Sequence, residues 1–466
     1  MGERKKLNTA RKSSSRVIAV GFKSPGHEHQ LSWVIFLSFI GATLVMGVGV
    51  FRYDAWAYWE TAQSAFGPRP GVEEYYWGLR GVLGNFMFLP AAGLARLFGA
   101  GFDGFFVLLQ NALLFAAFAS FLLPRCVAIW RPVTAQIRLL GALLAWIVLV
   151  GFAPYPLVDA YPAIAIFGIL VLLQSTRSSV LVLAGVFAGI AVNIRPSYLV
   201  VVGGFLVVAF IWRQWRGIWF AFGILVGLVP QLIMNVIRIG EWSLWPPLSA
   251  SLVSLQAEYG SYVVRYDTLF GADAPQQFYC SPGMAQALTL PLPQTAGELA
   301  SAFLSHIPTS VVFALQKVGA SLHWPLSTPY TTSNVGVDGL FALAITLITV
   351  CGISSLLFTV FRKRLGERWR HSSWLAAALA GVVVIGGTLT IVASASESRF
   401  ALPLVLIGVL GCASLGNAKL RNFWQKHRYW IASTALIAVV VWFFGVSGLQ
   451  HPAPAGPVDQ GICASL

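Results

Sequence analysis

Long apolar runs alternate with short polar stretches along the whole chain. The runs lie at 31–51, 102–123, 137–153, 159–174, 180–195, 197–212, 217–237, 335–361, 373–394, 399–416 and 429–447. A helix needs about 17–25 predominantly apolar residues to cross the hydrocarbon of a bilayer. The pattern therefore predicts an all-α polytopic membrane protein with about eleven transmembrane helices. Several runs are only about 16–17 residues long, at the lower limit for crossing. The pair 180–195 and 197–212 can thus also be read as a helical hairpin that does not fully cross. A further run, GVLGNFMFLPAAGLARLFGA at 81–100, is interrupted by Asn85, Pro90 and Arg96. It reads either as a span or as a helix lying in the interface.

Composition supports the membrane reading. The chain is 57% hydrophobic and only 10% charged, with a mean hydropathy of +0.73. Soluble domains carry about a quarter charged residues. The first run has no small-residue cleavage site and is expected to be a retained span rather than a signal peptide.

Net charge is +14, but the basic residues sit in short stretches between apolar runs, as topology signals do. No nucleic-acid-binding signature accompanies them, so nucleic acid is excluded as a partner. The same charges decide the run at 81–100. If it spans, Arg125, Arg131 and Arg138 fall outside. If it lies on the outer surface and the N-terminal tail is cytoplasmic, inner stretches hold 22 Lys/Arg and 3 Asp/Glu, and outer stretches hold 9 and 14. The second arrangement obeys the positive-inside rule and is adopted.

The organisation is then a basic cytoplasmic tail (1–30), an N-terminal membrane module (31–237) with a helical first outer loop (52–101), a long outer loop (238–334), C-terminal membrane helices (335–447) and an outer tail (448–466). There is no internal repeat and no low-complexity tract.

Ionisable residues at the membrane boundary gather on the outer face. Asp54 and Glu60 lie in FRYDAWAYWETAQS, directly after the first run. Glu73, Glu74 and Arg80 lie in PGVEEYYWGLR, Asp159 in APYPLVDAYPA, Arg195 in AVNIRPSYL, and Glu397 and Arg399 in SASESRFALP. Charged groups at such depth are costly unless paired or hydrated, which makes each a functional candidate. Each also has a structural reading. Asp54 and Asp159 can cap helices. Glu60 can be a solvated or paired face residue, and Glu73 with Glu74 a first-turn acidic pair. Arg195 can be a snorkelling helix end, and Glu397 can simply pair with Arg399.

Taken together, two acids, two arginines and a belt of Tyr53, Trp56 and Tyr58 suit a substrate that is part anion, part sugar and part lipid. Aromatic faces stack on sugars or sit at the headgroup level. Guanidinium forks bind phosphate, and a carboxylate can take a proton from a hydroxyl.

Four pieces resemble the GT-C superfamily of polyprenyl-phosphate-sugar glycosyltransferases, near its protein O-mannosyltransferase and aminoarabinose transferase branch. They are YDAWAYWETA, LVDAYPAIAIFGILVLL, GVFAGIAVNIRPSYLVVV and ESRFALPLVLIGVL; the likeness covers about residues 31–240 and 395–416. The resemblance implies a membrane glycosyltransferase that moves a sugar from a polyprenyl-phosphate donor to an acceptor hydroxyl on the non-cytoplasmic face, with inversion. The acceptor would be a glycan, lipid or protein, and the location a bacterial plasma membrane with the site facing outward. Asp54 would be the general base. Asp159, with Glu60, would position the acceptor; Arg399 with Arg195 would hold the donor phosphate. Tyr53, Trp56 and Tyr58 would contact sugar or lipid. A divalent metal at Asp54 and Asp159 is left open, and no other cofactor is implied. The chain departs from the family in carrying Ala55 where a second acid often follows the first, and Phe400 where Tyr is frequent. In relatives a loop equivalent to WPPLSASLVSLQAEYG helps shape the acceptor groove.

The rival readings are a lipid-linked oligosaccharide polymerase or ligase, a transporter or flippase, and a non-catalytic scaffold. A transporter should show inverted repeats and midplane ionisable groups, and neither is present. Polymerases and ligases of this kind rely on Arg and His in a late loop rather than on an early Asp loop. Of five cysteines only Cys280 and Cys463 are placed outside, where a bridge and two free thiols are both open. His306 and His323 are isolated and read as structural. GVGV and GVLG read as packing glycines, since no GK[ST] follows.

Overall fold

The computed structural model describes residues 26–67, 78–268, 277–288, 292–323, 330–331, 335–366, 371–394, 396–417, 428–453 and 463. The acidic pair Glu73–Glu74 and the basic tail 1–25 lie outside them.

Every apolar run becomes a helix, although fewer reach span length than the eleven expected. Among the described residues, seven stretches are long and apolar enough to cross a membrane, and eight if one bent pair counts as a single span. The chain is a multi-pass helical membrane protein.

The first run differs from expectation. Helix α1 (Gly26–Leu44) stops early, and 45–52 is not helical. The stretch MGVGVF combines two glycines with β-branched valines, all weak helix formers, and Gly47 takes a left-handed φ of 79°. The glycines of GVGV therefore serve an irregular segment rather than a helix pair: a Cβ on Gly49 would lie 2.6 Å from the Tyr155 ring. Tyr53, at a φ of 48°, then turns the chain into α2 (Tyr53–Ser64). The run at 81–100 breaks into α3 (Val82–Asn85) and α4 (Leu89–Phe98), too short to cross. Gly81 and Gly84 of GVLG do pack closely, against the backbone of Asn193 and Ile194.

The membrane module continues with α5 (Asp103–Ala128) and α6 (Ala135–Phe152), then α7 (Ala160–Leu172), α8 (Ser178–Ile194), α9 (Leu199–Arg213) and α10 (Gly217–Ile239). Helices α8 and α10 run side by side through facing small-xxx-small pairs, Gly185 and Gly189 against Gly223 and Gly227, a contact mode that membrane helices use to bring backbones together. The matched order makes them parallel, so α9 must return between them. Arg213 at its end donates to the carbonyls of Leu173 (2.8 Å) and Gln174 (2.9 Å), just before α8 begins. The stretch Pro196–Ile239 therefore turns back on itself at 214–216 rather than running as one straight helix. A Cβ on Gly185 would lie 2.8 Å from Cα of Gly223. Gly185→Val is expected to lower stability by about 1–3 kcal/mol, read as the unfolding temperature of the purified protein in detergent; an unchanged temperature would refute the close packing.

The long segment 238–334 holds α11 (Ser249–Gly260), α12 (Pro282–Ala287), α13 (Ala296–Ser305) and α14 (Ile307–Ser321). It is less of a free loop than its length suggested. Helices α13 and α14 are bent by 119° and together pass the span test, and α14 packs on the last helix through Gly319 and Gly445. The segment also carries a small sheet, absent from the all-α expectation, in the order β3-β1-β2-β4. Strand β1 (Val264–Thr268) pairs antiparallel with β2 (Gln277–Tyr279) and parallel with β3 (Tyr330–Thr331), while β2 also pairs with β4 (Pro452–Ala453) of the tail.

Cys280 and Cys463 form a disulfide across this sheet, 183 residues apart, and Cys126, Cys351 and Cys412 remain free. Alkylation before reduction is expected to label three thiols and after reduction five, read by intact mass; five labels without reductant would remove the bridge. The bundle closes with α15 (Val335–Gly366), α16 (His371–Ala393), α17 (Leu402–Ala413) and α18 (Arg428–Gly448). The most buried of these is α17, whose stretch Ser398–Gly416 is 78% enclosed by its neighbours. Its start therefore sits at the centre of one end of the bundle.

Candidate functional site

Six separate pieces of chain bring charged groups to that end. Asp54 comes from the first turn of α2. Arg80 comes from the bend before α3, Asp159 from the turn before α7 and Arg195 from the turn after α8. Arg265 comes from β1, and Glu397 with Arg399 from the turn that starts α17.

Arg399 is the hub. Its Nη2 donates to Asp54 Oδ2 at 2.6 Å and its Nε to Glu397 Oε2 at 2.5 Å, and its Nη1 lies 3.9 Å from Asp159 Oδ2. Arg195 pairs with Asp159. Arg80 Nη2 reaches Asp54 Oδ2 at 3.4 Å, and Arg265 Nη2 reaches Glu397 Oε1 at 2.5 Å. Asp159, Arg195, Glu397 and Arg399 are buried. Buried charges are tolerated when paired and hydrogen-bonded in this way. Burial alone would push the Glu397 carboxyl upward, but Arg265 and Arg399 together hold it below the usual carboxylate range. It therefore stays ionised near neutral pH, and the stability it lends is lost only in acid, as pH falls through that lowered value.

The structure sets aside three of the purely structural readings. Asp54 does not occupy the N-cap of α2; Arg52 does. Asp159 does stand at the N-cap of α7, but with helical φ and ψ and no side-chain cap bond. Arg195 is not a snorkelling end, since it is buried against Asp159. Pairing of Glu397 with Arg399 is present, within the larger network.

Phe400 lies against both buried guanidiniums. The Arg195 guanidinium lies 4.3 Å and that of Arg399 5.5 Å from its ring centroid, and a cation–π contact uses the ring face, not a hydroxyl.

Among the aromatic residues singled out, Tyr58 is buried with Arg80 5.8 Å from its ring centroid, Tyr53 is half-buried against the main core, and Trp56 is 47% exposed, facing the surroundings rather than the network. Glu60 lies about 9 Å along α2 from Asp54 and about 240° around it. The ion pairs that converge on Arg399 run through Asp54, Asp159 and Glu397 instead.

Two residues of the long outer segment were missed. Arg265 also donates its backbone N–H to Ser396 O at 2.9 Å, which docks β1 beside Glu397. The signal was faint: one basic residue within VVRYDT, in a stretch with no visible partner. Lys317, fully buried in α14, donates to the carbonyls of Gly260 (2.8 Å), Ser394 (2.9 Å) and Tyr262 (3.0 Å). It ties the C-terminal ends of α11 and α16 to α14. A lone lysine in an otherwise apolar helix was its only trace.

A small cavity lies beside the network. Asp159, Arg195 and Arg399 form its charged rim, and Val201, Gly387 and Pro403 line its apolar side. A metal does not fit the proposed pair. Both Asp54 and Asp159 face guanidiniums, whose charge opposes a cation, and among the described residues no three His, Cys, Asp or Glu side chains come together as a ligand set. Fold and site together define a multi-pass membrane protein with a buried arginine–carboxylate cluster at one end. No known family model, characterised protein or solved structure matches the chain.

Proposed function

We propose that the protein is a membrane glycosyltransferase that moves a sugar from a polyprenyl-phosphate donor to an acceptor hydroxyl on the non-cytoplasmic face. The observation that carries this reading is the meeting of Asp54, Asp159, Arg195 and Arg399, distant in sequence, in one ion-pair network beside a small cavity that Asp159, Arg195 and Arg399 line together with apolar residues. These are the residues contributed by the four GT-C-like pieces. The cavity's mix of charged and apolar lining is in keeping with the phosphate head of a lipid carrier.

In the proposed reaction the acceptor oxygen attacks the anomeric carbon while Asp54 takes its proton. The bond from that carbon to the phosphate oxygen breaks, and its electron pair leaves with the phosphate. Direct displacement inverts the anomeric centre. The leaving phosphate needs positive charge rather than a proton, which Arg399 and Arg195 supply from fixed positions. The arrangement is unlike a hydrolase, where two carboxyls frame a water.

Two features support an extracytoplasmic site. The disulfide belongs to the sheet docked on Glu397 through Arg265, and disulfides persist on the oxidising side of a membrane. At the opposite end lie Arg131, Arg138, Arg213 and Arg216, on Ser414, Glu28, Leu173 and Thr176, as positive-inside topology requires.

The test is a membrane assay with a panel of radiolabelled polyprenyl-phosphate sugars, comparing wild type with Asp54→Asn. Label passing to an acceptor only with intact Asp54 supports the reading. Transfer that survives Asp54→Asn removes Asp54 from it.

A further inference from the structure

A general base must be able to take a proton, yet Asp54 is held by two arginines. Its Oδ2 accepts from Arg399 at 2.6 Å and faces Arg80 at 3.4 Å. A carboxylate oxygen engaged by two guanidiniums in this way is not open to an incoming hydroxyl. The same Arg399 is the cation placed to receive a donor phosphate, and it already serves Glu397 and sits near Asp159. A phosphate oxygen on the Asp54 side of Arg399 would have to take the place of the Asp54 carboxylate.

The geometry points to a masked base: Asp54 is sequestered by Arg399 in the resting protein, and the anionic head of a lipid-carried phosphate ester releases it by replacing it on that guanidinium. Binding of the donor and activation of the base are then one event, so an acceptor reaching the site first meets no base and donor must bind before acceptor. The other ties of Arg399 make the exchange local. Glu397, itself clamped by Arg265 at 2.5 Å, holds the Arg399 Nε while Nη2 changes partner. After transfer the protonated Asp54 no longer competes for Arg399, and loss of that proton lets the carboxylate return and expel the phosphate monoester.

The inference rests on the proposed transfer but is tested by binding alone. Purified protein in nanodiscs is titrated with a polyprenyl monophosphate, with uncharged polyprenol of the same chain length, and with inorganic phosphate, and affinity is followed by intrinsic tryptophan fluorescence. Removing the competing carboxylate with Asp54→Asn is expected to tighten polyprenyl monophosphate binding about tenfold and to leave polyprenol binding unchanged. Asp54→Ser, which lacks the amide, is expected to act in the same direction. Arg399→Gln is expected to abolish the preference for phosphate over polyprenol. Inorganic phosphate is expected to bind more weakly than the lipid phosphate, with the same gain in Asp54→Asn, if the phosphate head is what displaces the carboxylate.

Equal or weaker lipid-phosphate binding in both Asp54 variants overturns the masked base, as does a gain of the same size for polyprenol. Transfer by wild type with no gain in the variants sinks this inference alone. A gain in the variants with no transfer by wild type sinks the transferase reading and leaves the masked anion site.

Discussion

Replacing Asp54 by Asn is expected to lower sugar transfer by about 10²–10⁴-fold, the usual contribution of a positioned general base, while the protein still inserts and purifies as wild type does. The side chains are nearly isosteric, so α2 and the packing of Tyr58 and Trp59 beneath it are undisturbed. The amide still fills the space beside Arg399 and Arg80, but it cannot accept the acceptor's proton. Radiolabel transfer per unit of folded protein measures the loss, with size-exclusion profiles matched between the two proteins. A reduction of less than tenfold would show that Asp54 only balances the charge of Arg399.

The second large effect concerns the pair Asp159–Arg195. Both side chains are buried, at 2% and 6% exposure. Asp159→Ala leaves Arg195 enclosed with Arg399 and Phe400 and without its carboxylate. Breaking one partner of a buried pair is expected to cost about 3–5 kcal/mol. The double variant Asp159→Leu with Arg195→Met removes both charges and is expected to recover most of that loss, because a buried pair adds little net stability over an apolar pair of similar size. Chemical or thermal unfolding in detergent distinguishes the outcomes. A single variant as stable as wild type would mean that Arg195 finds water or another acid. Recovery of stability without recovery of transfer in the double variant would separate the fold from the chemistry of the site.

The two effects have different origins, and the difference shows how much of the site the chain declared in advance. Asp54, Asp159, Arg195 and Arg399 stood out because each is an ionisable residue at the edge of an apolar run, where hydration is about to be lost. That rule uses only the neighbours of each residue along the chain. It could not separate a helix cap from a network member for Asp54 or Asp159, because both roles call for an acid before a helix. It favoured Glu60 and Trp56 through proximity to Asp54, although helical geometry turns them to other faces of α2. Arg265 and Lys317 escaped it, because the partners that give them meaning lie in distant segments: Glu397 for the first, and three carbonyls of two other helix ends for the second.

The helical membrane architecture was set by the apolar runs alone, since backbone groups in hydrocarbon must be satisfied within their own segment and a helix does that locally. The early end of the first helix was also latent in its glycines and valines. What the tertiary structure decided was convergence. The return of α9 between α8 and α10, the docking of β1 by the disulfide-bridged sheet and the burial of the turn before α17 bring seven charges from six places into one network, with three carboxylates around the Arg399 guanidinium. Pairing of that kind depends on three-dimensional distance, which no local pattern encodes.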